Sequence, residues 1–485
     1  MSIFSEKLNY FINNSNIKIA ELSRLSGVER SYIQKMITGE RMPKKNGAPT
    51  LEHLADALML TPAERRTLTE AYKISQMGEA TYYRRVMVKR IIEDCESYYN
   101  QQLLPHPALS AQSVQRPEVY SVQGKASVQN MIQLFLMEEI CLEKPHLMAV
   151  LQPESDAAEL VQPYCRMKRE LCFEHIVCFD NELQYQKDNQ YNLQCIRTLL
   201  PFLLSPCLYS GWFYYDSVAS HMSRHAVFPW FVLGQKSVLC LSQDGEKAMQ
   251  IFQPDTLTVY QRIFDEIRAQ CRPIFAIQNN QITQFWDYNR WLPAHPDMSY
   301  SLQASPCWGF FYTMDIVEKQ LSPNLPNREQ ILLFFNGHQK QISLLNGKRK
   351  NTSFFTAEGL ESFLQTGRIG ELPDEIYEPL PKAFRKELLR RMMDCIQKGY
   401  YIPYLIHSDK FRMPHALNFF ISDQQHLSCS CLHPHHGPIS VVIHEKSLVY
   451  SICDFLEYLP ETGLVYTREE TTAYLQKKLK ELYES

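Results

Sequence analysis

Apolar residues recur at helical spacing through residues 1–100. Phe4, Leu8, Phe11 and Ile12 share one stripe of an opening helix, and Leu51, Leu54, Ala55 and Leu58 share that of a later one. Between them, Ile19 to Thr38 reads as two helices joined by a tight turn. Leu22 and the small Ser23 face inward from the first helix, Gly27 sits where the chain must turn, and Val28 plugs the turn. Ile33, Met36 and Ile37 give the second helix an apolar edge. Arg30, Ser31, Gln34 and Lys35 are left facing away from the core, so the outer face is polar and basic. Thr50 and Thr61 read as N-caps, and Pro62 after Thr61 starts a fifth helix that the pattern carries to Ile74. Gly78 to Asn100 reads as a connecting helix with Tyr82, Val86, Ile91, Ile92, Cys95 and Tyr99 on a broad stripe. That periodicity serves a dimer seam or packing on the following domain equally.

The pattern then changes. Gln101 to Pro117 holds prolines and no regular period, which marks a linker. Beyond it, 147–151 reads as a strand, Ala157 to Leu171 as a helix and 175–179 as a strand, an alternation that predicts a parallel sheet. An internal repeat follows. Gly211-Trp212-Phe213 matches Gly399-Tyr400-Tyr401, 231–240 matches 420–429, and 251–252 with Leu257 and Phe264 matches 442–443 with Leu448 and Phe455, the offset drifting from 188 to 191. The matched positions are apolar or turn residues, so the repeat speaks for fold. The expected fold class is multidomain: an N-terminal all-α domain followed by a large α/β region with an internal duplication. The expected domains are 1–76, a connecting helix and linker at 77–117, a first repeat half at 118–270 and a second at 271–485.

Length and composition agree with this division. A chain of 485 residues suggests about two to four domains, and 45% hydrophobic with 21% charged residues is a globular balance. The N-terminus lacks a basic segment followed by an apolar run, so no secretory signal is expected. The most apolar window, Leu199 to Tyr215, is interrupted by Pro201, Pro206 and Gly211 and is shorter than the roughly 20 residues of a spanning helix, so no membrane partner is expected. Fourteen cysteines without CxxC pairs read as reduced thiols, which fits the cytoplasm of a bacterium. Charge is asymmetric: residues 1–90 carry 15 Lys/Arg and 9 Asp/Glu, a net +6, while residues 91–485 carry 35 and 44, a net −9. The basic excess sits with the two-helix motif.

The spacing over Ile19 to Thr38, with its helical surroundings, resembles the Cro-type phage-repressor (XRE) helix-turn-helix family over residues 1–75. Ser23 stands where Ala is commoner in the family, and Glu29 brings a carboxylate to the start of the recognition helix, where it can serve as a cap. The resemblance implies that Arg30, Ser31, Gln34 and Lys35 enter the major groove of double-stranded DNA, Arg30 or Lys35 favouring guanine and Gln34 adenine. It implies phosphate contacts from Lys18, Tyr32, Thr38, Arg41, Lys44 and Lys45, and binding as a homodimer. The duplicated α/β unit resembles the phospholipase-D-type architecture, in which two similar halves enclose a site. Enzymes of that type carry a HisxLysx4Asp run in each half. Here His444-Glu445-Lys446 is followed by Ser451, the first unit has Gln253-Pro254-Asp255, and His338-Gln339-Lys340 is followed by Leu345, so the catalytic pattern is missing.

Other chemistry is sparse. His426 to His436 offers Cys429, Cys431 and His433 as donors for Zn²⁺ or Cu(I). Their alternation with Leu427 also fits one buried face of a strand, followed by histidines in a turn. That reading is the stronger, so no metal is assigned. The 27 Tyr, 25 Phe and 5 Trp concentrate in Gly211–Tyr215, Phe285–Tyr288 and Cys307–Tyr312, runs that line a ligand pocket or build core. No Gly-rich phosphate loop, GxSxG elbow or HExxH occurs, and no cofactor is implied. The sequence therefore reads as a cytoplasmic, non-enzymatic, sequence-specific DNA-binding transcriptional regulator. Its C-terminal region senses an unidentified small-molecule or protein effector or mediates association. The alternative is an enzyme or a protein-interaction scaffold carrying a DNA-targeting N-terminal domain.

Overall fold

The computed structural model describes residues 2–44, 47–99, 104, 117–153, 155–181, 190–218, 227–278, 298–325, 328–345, 350–369, 377–415, 417–422, 426–433, 437–443 and 445–484. The chain divides into two compact units, Met1–Val86 and Met87–Ser485.

The first unit is helical: α1 (Ile3–Ser15), α2 (Ile19–Ser26), α3 (Arg30–Thr38), α4 (Ala48–Ala57) and α5 (Pro62–Met77). Phe4, Leu8, Leu22, Ile33, Met36, Leu54 and Leu68 are almost wholly buried in one cluster, so the apolar stripes of all five helices converge. Thr61 caps α5 in a reciprocal box with Glu64: the Glu64 N–H donates to Thr61 Oγ1, and the Thr61 N–H donates to Glu64 Oε2. Thr50 is not a cap. Helix α4 begins at Ala48 with Gly47 before it, because Pro49 stands in the first turn, where its missing N–H costs nothing. Helix α5 runs past Ile74 to Met77, and Gly78, at φ 89°, ends it.

Helix α6 (Glu79–Tyr99) begins within the first unit and ends within the second, where Val88, Ile91, Ile92 and Cys95 are buried in the core. The linker expected at 101–117 lies outside the described residues apart from Leu104 and Pro117.

The second unit is mixed α/β. Its first sheet holds β1 (Val119–Gln123), β2 (His146–Val150), β3 (Cys172–Asp180), β4 (Leu208–Asp216), β5 (Trp230–Leu233), β6 (Val238–Leu241), β7 (Lys247–Ile251) and β8 (Arg272–Pro273), in the order β1-β7-β6-β5-β2-β3-β4-β8. The second holds β9 (Phe275–Gln278), β10 (Met298–Leu302), β11 (Lys350–Phe355), β12 (Tyr401–Leu405), β13 (Leu417–Ser422), β14 (His426–His433) and β15 (Gly437–Ile443). Its order is β12-β11-β10-β13-β14-β15-β9, which read backwards reproduces β1 through β4 of the first sheet strand for strand. In each sheet three consecutive strands are parallel, β2-β3-β4 and β10-β11-β12, and the other pairings are antiparallel. The strands expected to pair in parallel, β2 and β3, do so, and the sheet that contains them is mixed rather than parallel throughout. Short apolar runs such as Trp230–Leu233 carry no mark of the direction in which they pair.

The first half adds α7 (Lys125–Ile140), α8 (Asp156–Cys165), α9 (Gln190–Leu203) and α10 (Pro254–Gln270). The second adds α11 (Met314–Gln320), α12 (Arg328–Leu345), α13 (Ala357–Thr366), α14 (Lys382–Gln397), α15 (Lys446–Tyr458) and α16 (Arg468–Glu484). Helix α8 stops at Cys165 rather than Leu171, because Arg166 to Glu170 are almost all polar and offer no stripe to bury before Leu171 leads into β3. The repeated segments fall on corresponding elements: Gly211 in β4 and Gly399 just before β12, the β5–β6 and β13–β14 hairpins, and Phe264 and Phe455 on α10 and α15.

One continuous core runs through both halves, from Val88 to Val465, and includes Phe264 and Phe455. A second cluster gathers Trp308, Phe355, Leu360, Leu389, Tyr401 and Leu475, with Trp308 stacked on Phe363 at 4.1 Å. Buried Glu139 of α7 fixes the β5–β6 hairpin by accepting the N–H groups of Gln235 and Lys236 at 2.9 and 3.1 Å, and a Cβ on Gly234 would meet its carboxyl group at 2.4 Å. Among the described residues no helix is long and apolar enough to cross a membrane.

Candidate nucleic-acid interface

The turn between α2 and α3 is built from short polar side chains. Gly27 closes α2 at φ 67°, a left-handed conformation that favours a residue without Cβ. Ser23 Oγ donates to the Val28 carbonyl at 2.7 Å. Ser26 Oγ donates to Leu22 O at 2.7 Å and accepts the Val28 N–H at 3.2 Å. Ser23 therefore does what Ala could not, tying the turn to the first helix. Glu29 takes the N-cap position of α3, but its side chain makes no cap bond; its carbonyl accepts from Tyr32 and Ile33. Its carboxylate stays exposed.

Ile33 and Met36 are fully buried, which fixes the rotation of α3 and turns Arg30, Ser31, Gln34 and Lys35 to solvent. Lys18 at the start of α2, Thr38 at the end of α3, and Arg41 and Lys44 in the following loop are exposed as well; Lys45 lies outside the described residues. Arg41 is held by its own N–H, which donates to Lys35 O at 3.1 Å. Tyr32 is half-buried, and its hydroxyl donates to Met42 O at 3.1 Å, so it anchors the loop while its lone pairs remain usable. Tyr72 of α5 grips the same loop through the carbonyls of Pro43 and Lys44.

Some cations of the first unit are paired and others are not, exposed Lys7, Arg66 and Lys73 being without a carboxylate partner among the described residues. Arg24 pairs with Glu21 and Arg65 with Asp56. Among the described residues Lys18, Arg30, Lys35, Arg41 and Lys44 have no carboxylate partner. Charged side chains that the fold leaves uncompensated on neighbouring elements are available to an external anion.

The large unit treats its candidates differently. Cys429 is half-buried on β14 and, with Phe419 and Val441 opposite it on β13 and β15, lines an apolar cavity of about 40 Å³. That cavity lies between α6, α9, the second sheet and α15, and is too small for a ligand of ordinary size. Cys431 and His433 belong to the same strand, paired with Leu417 and Gly437; their side chains lie outside the described residues. Among the described residues no three His, Cys, Asp or Glu side chains come close enough to hold a metal. In the aromatic runs, Phe213 and Trp308 are core, and Phe285–Tyr288 lies outside the described residues. His444 and the side chains of His338, Gln339 and Lys340 lie outside them too. Glu445 is fully buried: its Oε2 accepts from the Leu448 N–H and the Ser447 hydroxyl, capping α15, and its Oε1 accepts from Tyr215 of β4 at 2.6 Å. The equivalent Gln253-Pro254-Asp255 opens α10 at an exposed position.

The structure also assembles a cluster that no motif announces. On paired strands β2 and β3, His146 lies opposite Cys172. His146 Nε2 donates to Glu174 Oε1 at 3.0 Å, and Glu174 Oε2 accepts from Arg268 of α10 at 2.6 Å. Arg268 also donates to Asp265 at 2.9 Å. The neighbouring Cys172 and the hydrogen bond with Glu174 push His146 up to about 9. Hydrogen bonds from His146 and Arg268 hold Glu174 below the ordinary carboxylate range. The sequence carried only a faint signal, polar residues at the starts of two apolar strands, and the strand pairing that joins them was not legible.

No family model matches the chain, and no curated protein is similar enough to count as a relative. Among solved structures, it is similar to a phosphatidylserine synthase of Haemophilus influenzae Rd KW20, with TM-score 0.24 and 11% identity over 82% of this chain and 97% of that one. It is also similar to TrmBL2, an archaeal chromatin protein, with TM-score 0.23 and 9% identity over 53% and 88%. A polyphosphate kinase of Porphyromonas gingivalis follows, with TM-score 0.22 and 11% identity over 78% and 60%. Likenesses this weak carry no argument about fold or activity.

Proposed function

We propose that this chain is a cytoplasmic, sequence-specific DNA-binding regulator whose first unit is a helix-turn-helix reader of the Cro-type phage-repressor kind. The observation that carries the reading is the set of exposed cations Lys18, Arg30, Lys35, Arg41 and Lys44, without carboxylate partners among the described residues, around one helix whose opposite edge is locked by Ile33 and Met36. Arg30, Ser31, Gln34 and Lys35 read base edges. Lys18, Tyr32, Thr38, Arg41, Lys44 and Lys45 contact phosphates and set the register. The protein acts as a homodimer, and the large unit senses an effector or mediates association.

The shared strand order of the two sheets supports the resemblance of the large unit to the phospholipase-D-type architecture. In the second half Glu445 is only the variable middle residue of His444-Glu445-Lys446, and Ser451 stands where that architecture's run carries Asp, which supports a non-catalytic role.

The test is selection of bound sequences from random duplex DNA by the full-length protein and by the Arg30→Ala/Gln34→Ala variant. The wild type should enrich one motif, repeated in two half-sites roughly 34–36 Å or a multiple of that apart, and the variant should lose it. Each lost bidentate contact is worth about 1–3 kcal/mol of discrimination. Absence of enrichment by the wild type, or an unchanged motif in the variant, rejects the reading; a single half-site rejects the dimer.

A further inference from the structure

Gln303 follows directly on β10, and its N–H extends the pairing by donating to Phe354 O of β11 at 3.1 Å. Its side chain is wholly buried, yet neither Oε1 nor Nε2 has a hydrogen-bond partner among the described residues. Buried carboxamides are almost always bonded, because leaving one unpaired away from water is costly. The first half of the large unit obeys that rule. Gln152, just beyond β2, accepts the Cys178 N–H and donates to Cys178 O, both at 3.0 Å, and Asn192 of α9 accepts the Asp180 N–H at 3.0 Å. Gln303, at the corresponding strand end of the second half, makes no such bond. The nearby backbone is already in use: the Thr356 N–H and hydroxyl both donate to Ala304 O at 3.0 Å, and Thr356 O accepts from Leu360.

Gln303 is also the last member of a polar stripe. Alternation along β10 puts Ser299, Ser301 and Gln303 on one face, and residues of β11 join them: Ser299 Oγ donates to Asn351 Oδ1 at 2.8 Å, and Ser301 Oγ to Ser353 Oγ at 3.0 Å. All four of these partners are buried, and Asn351 Nδ2 also lacks a partner among the described residues. The intervening Tyr300, Leu302 and Phe354 belong to the shared core, so the stripe faces away from it. None of the five polar side chains is ionisable, which suits an uncharged ligand. They offer it carboxamide N–H groups, the hydroxyl proton of Ser353 and the acceptor Oε1 of Gln303. The carboxyl end of a parallel strand, where Gln303 stands, is where α/β sheets bind ligands.

We propose that this stripe binds a small uncharged molecule with an amide edge, a carbonyl oxygen beside an N–H. The ligand N–H donates to Gln303 Oε1, Gln303 Nε2 donates to the ligand carbonyl, and the Ser353 hydroxyl donates to a second carbonyl. The proposal rests on the sensing role given to the large unit and on nothing in the first. Because Gln303, Ser301 and Ser353 are closed to solvent, entry requires a local opening and association is slow.

The experiment dialyses the full-length protein, without DNA, to equilibrium against labelled uracil, whose ring carries C=O and N–H side by side. One molecule should bind per chain, and the N,N′-dimethyl derivative of uracil, which has no N–H, should fail to compete. Gln303→Met keeps the length of the side chain and removes its amide. The variant should lose affinity about tenfold or more and, without ligand, unfold at a higher temperature than wild type, since an unpaired buried polar group has been replaced by an apolar one. No uracil binding by the wild type overturns the proposal, as does competition by the dimethyl derivative or an unchanged affinity in the variant. A variant less stable than wild type overturns it too, because the Gln303 amide would then be bonded within the fold or to an internal water. With no DNA present these outcomes leave the helix-turn-helix reading untouched, and the selection of bound sequences tests that reading separately.

Discussion

At the scale of single residues, the cluster around His146 makes stability depend on pH in a window set by one imidazole. Cys172 and Glu174 raise it from 6.5 in the unfolded chain to about 9 in the fold, so the folded state binds the proton more tightly. The stabilisation is therefore complete below about 6.5 and is lost as pH rises through about 9. The charged groups that face the ring are Glu174 from β3 and, behind it, Arg268 and Asp265 from α10. His146→Gln should flatten the urea midpoint of the large unit between pH 6.5 and 9 relative to wild type; a variant whose midpoint falls with pH as steeply as the wild type would remove His146 from this role. Residue identities alone did not reveal the cluster, because His146 and Glu174 are 28 positions apart and meet only through the pairing of β2 with β3. Ser23 is the opposite case. Its small size was legible as a packing requirement, whereas its hydroxyl bond to Val28 O was not.

At the scale of elements, the α2–α3 corner and the loop after α3 depend on glycine for different physical reasons. A Cβ at Gly27 would meet nothing within 4 Å, so the cost of Gly27→Ala is that of a left-handed backbone, about 1–2 kcal/mol. Gly47 has an ordinary φ of −78°, but a Cβ there would stand 2.4 Å from Pro43 Cβ and 2.9 Å from Lys44 O. Gly47→Ala must therefore move the loop that carries Lys44 and should destabilise the first unit more than Gly27→Ala. Hydrogen exchange of the α3 and α4 amides in the full chain checks the order, and a larger loss of protection in Gly27→Ala would contradict it. Helices with a wide apolar stripe, such as α1 and α5, were legible because a strand or a loop does not sustain a 3.6-residue apolar period over three turns or more. Their ends were less so: Pro49 let α4 start before Thr50, and the polar run after Cys165 ended α8 early.

At the scale of the whole molecule, the repeat was legible because matched apolar and turn residues survive where the remaining residues have diverged, while the strand order of each half was not, since it depends on long-range pairing. The two halves of the large unit share one buried core and a polar bridge from Tyr215 Oη to Glu445 Oε1, contributed by residues 230 positions apart. Apolar area removed from water across that shared core is lost if either half opens, so neither half should keep its fold alone. Phe264 on α10 and Phe455 on α15, equivalent positions of the repeat, are 0% and 3% exposed. Replacing either by Ala leaves a cavity and should cost about 3–5 kcal/mol. Because the core is common, each substitution should shift the unfolding of both sheets together. Pulsed hydrogen exchange across a urea gradient, read on peptides from β3 and β11, provides the measurement. Coincident midpoints in the wild type, displaced equally in Phe264→Ala and Phe455→Ala, are expected. Two separated midpoints, each moved only by the substitution in its own half, would mean that the duplicated halves fold independently and that the shared core does not couple them.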